Sequence, residues 1–226
     1  MNRITMLLAT SALAAAQGVS AAPQLSAVLA HEIIEQGMDG VTHSTHYQER
    51  FTRSDDTVWI ERVLPSWNSK GAHAKKTNLE QHHDELNVQV APRLIRPAEG
   101  GAAKLSLIDD EHHALFSVGT EDYERVGFSG RWAAEQSLID PAVLRHMRKS
   151  SRPSKIAGTC WYEQETANEY TRLLWNETLQ FPLKIETGVR SGRYSSRTTV
   201  LLGSETHQPW KRVGSYTQRE LSDLGD

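Results

Sequence analysis

Two pairs of adjacent histidines stand beside carboxylates in this chain: His82-His83 in "LEQHHDELNVQV" and His112-His113 in "SLIDDEHHALFSV". Imidazoles flanked by Asp84, Glu85, Asp109, Asp110 and Glu111 are the donor types of a Zn or Cu site, which needs three or four donors converging. Adjacent side chains diverge on extended backbone, so neither pair chelates alone and the two pairs would have to meet. His43 and His46, three apart in a strand-like run, point to opposite faces for the same reason. The competing reading makes "DDEHH" (109–113) the polar corner of a hairpin between "KLSLI" and "ALFSV". A protein with no cofactor is the main expectation; a Cu or Zn site on His82, His83, His112 and His113 is the alternative.

Other chemistry has little to work with. GxSxG, HExxH, CxxCH and glycine-rich phosphate loops are all missing from the sequence. The serine and threonine of "HSTH" (43–46) have no convincing acid partner, so no catalytic residue is assigned and no enzyme is expected. Cys160 is the single cysteine and reads as a thiol packed on a strand, because "GTCWY" holds no base to activate it. The net charge of −3 is too mild to point to nucleic acid.

Six tryptophans are more informative as a set. Ligand pockets are apolar and aromatic with few polar groups. Trp59, Phe128, Trp132, Leu138, Trp161 and Trp175 are the candidate ligand-binding residues. "GFSGRWAAEQSLI" (127–139) is the candidate lid, with Gly127 and Gly130 as hinges.

The elements that must position these residues start behind a leader. "MNRITMLLATSALAAAQGVSAAP" has a basic start at Arg3, an apolar run too short to span a bilayer, and small residues Val19 and Ala21 before a cleavage point. It reads as a secretory signal peptide over 1–21, which leaves 22–226 as one domain with a linker-like break near 150–155. In "PQLSAVLAHEIIEQG", Leu25, Val28, Leu29, Ile33 and Ile34 fall at helical spacing, so the domain is expected to open with an amphipathic helix ending at Gly37. From Val41 the period becomes two, with Asp55-Asp56 at the turn, and Pro65 ends the return strand. Residues 66–85 are polar and without period. Strand-like runs follow in "LNVQVAPRLI", "KLSLID", "ALFSV" and "YERVGF". A helical interlude comes next, with Asp140 capping and Pro141 at the first position of its second helix. The last third is again strands.

Within "IAGTCWYEQETANEYTRLLWNETLQFPLKIETGVRSGRYSSRTTVLL" (156–202), Trp175, Asn176, Thr178, Pro182, Lys184, Ile185 and Glu186 form a strand, a turn and a second strand, and Gly192 turns the next hairpin. This pattern resembles the LolA/RseB-like superfamily of bacterial periplasmic proteins. That group includes the outer-membrane lipoprotein carrier and the N-terminal domain of the sigma-E stress regulator. The resemblance implies an α+β fold: a strongly curved antiparallel sheet, an unclosed half-barrel, covered by helices on its concave face. It also implies a periplasmic protein that binds a hydrophobic ligand, an acyl chain, lipid or lipidated protein, in transport or envelope-stress sensing. Metal delivery, or docking on a periplasmic enzyme or regulator, is the alternative. The second domain of the stress regulator is not expected within 22–226. The arginine that fastens the helical lid of the carrier has no position set by the motif, with Arg50, Arg53 and Arg62 all available.

Overall fold

The structure is a computed structural model that describes residues 22–64, 86–204 and 208–225. The leader (1–21) and the polar loop 66–85, with His82 and His83, lie outside the described residues.

The domain opens with a strand, β1 (Leu25–Gln36), where the apolar spacing predicts a helix. Leu25, Ala27 and Leu29 are buried while Ser26, Val28 and Ala30 are only half-buried, which is the period of two. Long neighbours on both sides decide the outcome. β2 (Thr42–Arg53) pairs with β1 from Leu25↔Arg53 to Gln36↔Thr42, and β11 (Tyr194–Leu202) takes its other edge. The β-branched Val28, Ile33 and Ile34 suit that pleated environment better than a helix.

The remaining strands are β3 (Val58–Arg62), β4 (Arg93–Pro97), β5 (Ala103–Asp109), β6 (Ala114–Ser117), β7 (Arg148–Lys149), β8 (Thr159–Glu165), β9 (Glu169–Asn176), β10 (Phe181–Val189) and β12 (Thr217–Glu220). They form one open 12-stranded sheet in the order β12-β6-β5-β4-β3-β2-β1-β11-β10-β9-β8-β7. All pairs are antiparallel except β12 beside β6, so the sheet is mixed. The expected half-barrel with helices over a concave face is therefore corrected. Among the described residues the only α-helix is α1 (Trp132–Ser137), of six residues, accompanied by short 3-10 turns. "YERVGF" forms turns, not a strand, and "WKRVGSYT" is a 3-10 turn that reaches strand only at Thr217. Asp140 does cap the 3-10 turn Pro141–His146, accepting from the Ala142 amide at 2.9 Å.

Strand order explains why anything covers the sheet. β6 lies next to one edge and β7 forms the other. At about 4.8 Å per strand the chain between them must traverse roughly 50 Å of sheet. Residues 118–147 make this crossing, and Val126 and Phe128 join the main core with Leu29, Phe51, Leu107 and Phe116. On the opposite face Trp59, Leu94, Ile108 and Leu115 are covered by Val213, Trp210 and Tyr216 of the C-terminal segment. Further along the sheet, register aligns Arg148, Glu163, Arg172, Glu186, Arg197 and Glu32 in one row of alternating charge.

Leu29→Ala is expected to cost about 2–5 kcal/mol in urea unfolding, as for other buried leucines. Glu35→Ala, at the exposed end of the same strand, should change stability by less than about 0.5 kcal/mol. Equal losses at the two positions would contradict the one-sided burial of β1.

Candidate functional site

Arg53 is the last residue of β2 and pairs with Leu25 and Val58, which places it on the core face. It is 1% exposed, and every hydrogen bond of its guanidinium goes to a backbone carbonyl. Nε donates to Pro23 at 3.0 Å, Nη1 to Gln136 at 2.7 Å and Nη2 to Leu179 at 2.8 Å. These acceptors belong to the segment leading into β1, to the crossing segment and to the β9–β10 turn. Burial without a carboxylate partner pulls the guanidinium down to about 10, so it stays charged at neutral pH. Of Arg50, Arg53 and Arg62, only Arg53 occupies a position that ties the cover to the sheet.

The 156–202 motif supplies one of these acceptors. Asn176 Oδ1 accepts from the amides of Thr178 and Leu179 at 3.0 and 2.9 Å, folding the turn that presents the Leu179 carbonyl. Gln180 completes the turn at φ 49°, and Pro182 sits beside a register shift in β10, where a missing donor does little harm.

The crossing segment is tied at several other points. Arg93 donates to the Val126 carbonyl at 3.1 Å and the Tyr123 hydroxyl to the Ala103 carbonyl at 3.1 Å. Gly127 and Gly130, the expected hinges, both have positive φ, and a Cβ on Gly130 would meet the Tyr123 ring at 2.9 Å. α1 ends at Leu138 in the left-handed region. Burial lifts the Glu135 carboxyl above its ordinary range, although the Ser129 amide and hydroxyl donate to it and oppose the shift. Beside α1 lies a cavity of about 670 Å³ lined by Pro23, Asp55, Trp132, Gln136, Pro141 and Thr178.

The candidate aromatic residues are dispersed. Trp132 lines this cavity, and Leu138 packs part-buried on the main core. Phe128 and Trp161 are inside that core. Trp59 is on the opposite face, its indole donating to Glu61 at 3.0 Å with Arg212 over its ring. Trp175 is 2% exposed and pairs with Pro182 and Cys160. Cys160 itself is half-buried on β8.

The "DDEHH" corner is the turn between β5 and β6. Asp109 accepts from the Glu111 and His112 amides and lies 2.8 Å from His112 Nδ1. Burial would raise the Asp109 carboxyl, but these bonds prevail and hold it low. Asp110 accepts from Arg212 at 2.7 Å and from the Tyr216 hydroxyl at 2.9 Å, and the His113 ring lies 5.1 Å from Tyr216. The corner therefore anchors the C-terminal segment. Among the described residues no group of three or more His, Cys, Asp or Glu side chains is arranged to hold a metal ion.

A second cleft, of about 630 Å³, opens on the core face beyond the cover and is lined by His31, Tyr47, Arg62, Val63, Leu64 and Val90 among others. His31 links three strands: Nδ1 lies 3.1 Å from the Thr198 hydroxyl, Nε2 lies 3.0 Å from Glu49, and the ring stacks on Tyr47 at 4.5 Å. Burial alone would raise Glu49, but the His31 contact, with Arg93 and Arg62 nearby, holds it below the usual range. The residue types here carry no sequence motif. Only the register of β11, β1 and β2 brings them together.

No family model and no curated protein matches this chain. Solved structures to which this chain is loosely similar include a LolA superfamily protein from Nitrosomonas europaea, at 8% identity and a TM-score of 0.33 over 83% of this chain and 91% of that one. An outer membrane lipoprotein-sorting protein domain from Vibrio parahaemolyticus matches at 9% identity and 0.33 over 81% and 88%. PNGF-II matches at 8% identity and 0.37 over 89% of this chain, which spans only 32% of that protein. The neighbours thus include the superfamily that the 156–202 motif resembles. Overlap this loose carries no argument about task, so the functional reading rests on the chain's own residues.

Replacing Arg53 with Leu should increase amide hydrogen exchange in residues 131–139 by roughly tenfold or more, with β1 and β2 little changed. Arg53→Lys should not restore protection, because an ammonium cannot span three carbonyls in a fork. Glu135 gives a pH test. Its carboxyl is raised in the folded state, so its contribution to stability is full below the unfolded value of about 4.3 and is lost as pH rises through the folded one. Glu135→Gln should therefore gain stability relative to the parent between pH 4 and 7, read from urea midpoints; a constant difference would refute the shift.

Proposed function

We propose that this chain is a non-catalytic binding protein of the bacterial envelope. It takes a hydrophobic ligand, an acyl chain, a lipid or a lipidated polypeptide, between the sheet and the crossing segment, in transport or envelope sensing. One observation carries the reading: the cover is tied to the sheet through a buried guanidinium that holds only carbonyl oxygens. Such a joint keeps two packed layers together without a continuous ladder, so the layers can part as units. Beneath the cover lies an apolar face, and at its margin Trp132 fronts a cavity within the size range of small-ligand pockets. The leader-like residues 1–21 and the 156–202 motif favour a periplasmic setting. Among the described residues no helix is long and apolar enough to cross a membrane.

The test is uptake of a fluorescent fatty acid, alongside native mass spectrometry of protein purified from membrane-containing cells. Saturable uptake is expected, weakened by about tenfold in Trp132→Ala, as for a tryptophan anchor at a contact. A protein that carries no lipid and takes up no fluorescent fatty acid is not a hydrophobic-ligand carrier.

A further inference from the structure

Along each central strand the core face changes character at the same level. β1 runs Leu25, Ala27, Leu29 and then His31; β2, read from its other end, runs Phe51 and then Glu49 and Tyr47; β3 runs Val58, Ile60 and then Arg62. The apolar part lies under the crossing segment, and the polar part borders the second cleft.

The polar end carries an excess of positive charge. Arg62 lies over the Tyr47 ring at 3.5 Å. Among the described residues no carboxylate is within ion-pair distance of Arg62 or Arg93, and Arg93 spends one donor on the Val126 carbonyl. Among the described residues the carboxylate on this part of the face is Glu49, which lies 3.0 Å from His31 Nε2. A guanidinium packed flat on an aromatic ring keeps its in-plane donors available, and that fork matches the oxygens of a carboxylate or phosphate.

We infer that the cleft beside His31, Tyr47 and Arg62 is an anion subsite, which receives the carboxylate or phosphate head of an amphiphile whose apolar chain lies under the crossing segment. This rests on the reading of the protein as a hydrophobic-ligand carrier and adds the class of its ligand. Arg62 makes the direct contact, Tyr47 holds its guanidinium in place, and Arg93 strengthens the positive field at the point where it also ties down the cover.

Binding of decyl phosphate, decanol, decyltrimethylammonium and inorganic phosphate to the full chain, measured by calorimetry, tests this. Decyl phosphate should bind at least about tenfold more tightly than decanol, and Arg62→Gln should remove the difference without weakening decanol. Glu49→Gln removes the carboxylate beside His31 and should tighten decyl phosphate, a gain that a misfolded variant would not show. Inorganic phosphate binding as tightly as decyl phosphate, and lost in Arg62→Gln, would support the anion site with a free anion as its source. Equal binding of all three decyl compounds, or a preference that survives Arg62→Gln, overturns the subsite and leaves the carrier reading standing. No binding of any decyl compound ends the carrier reading itself.

Discussion

A guanidinium almost wholly removed from water, with no carboxylate to meet it, is costly unless each of its nitrogens finds an acceptor. Arg53 meets this condition through three carbonyls from three distant parts of the chain. The start of the domain, the crossing segment and the β9–β10 turn must all be in place before the charge is satisfied, and loss of any one leaves a buried donor unpaired. Closure of the cover over the apolar face is thereby coupled to completion of both halves of the sheet.

That coupling follows from the topology. The chain builds β1 to β6 on one side of the sheet and β7 to β11 on the other, and β1 against β11 is the seam between them. The connection has to cross the face, and the core it meets is apolar only as far as Leu29, Phe51 and Ile60. Beyond that level the face turns polar, which is why a cleft opens there in place of more core. The opposite face has a separate cover. The C-terminal segment covers Trp59, Leu94, Ile108 and Leu115. Farther along the sheet, the row from Arg148 to Glu32 alternates charge between neighbouring strands; Arg148–Glu163 and Arg197–Glu32 each close at 3.0 Å.

Much of the local structure was legible from spacing. The β2–β3 hairpin, the polar corner at 109–113, the Asp140 cap and the Trp175–Pro182 turn all depend on residues within a few positions of one another. The opening strand has the spacing of a helix because Leu25, Val28, Leu29, Ile33 and Ile34 satisfy a period of 3.6 as well as a pleat, and only the two long neighbours settle which applies. Among the candidate site residues, Trp132 reaches a cavity, whereas Trp59 faces the other side of the sheet. Aromatic content alone does not encode which face a strand presents after its neighbours are chosen.

By itself the sequence determined the turns at Asp55-Asp56, 109–113 and after Trp175, the Asp140 cap, and that the 156–202 segment follows a superfamily-like pattern, since each of these is a property of near neighbours along the chain. Tertiary structure alone decided that Arg53 and not Arg50 or Arg62 joins the layers, that the sheet is open and mixed, and that His31, Tyr47 and Arg62 share one cleft while His31 also meets Glu49 and Thr198. Those outcomes depend on register between strands as much as 167 residues apart, as in the His31–Thr198 contact, and no local spacing carries that information.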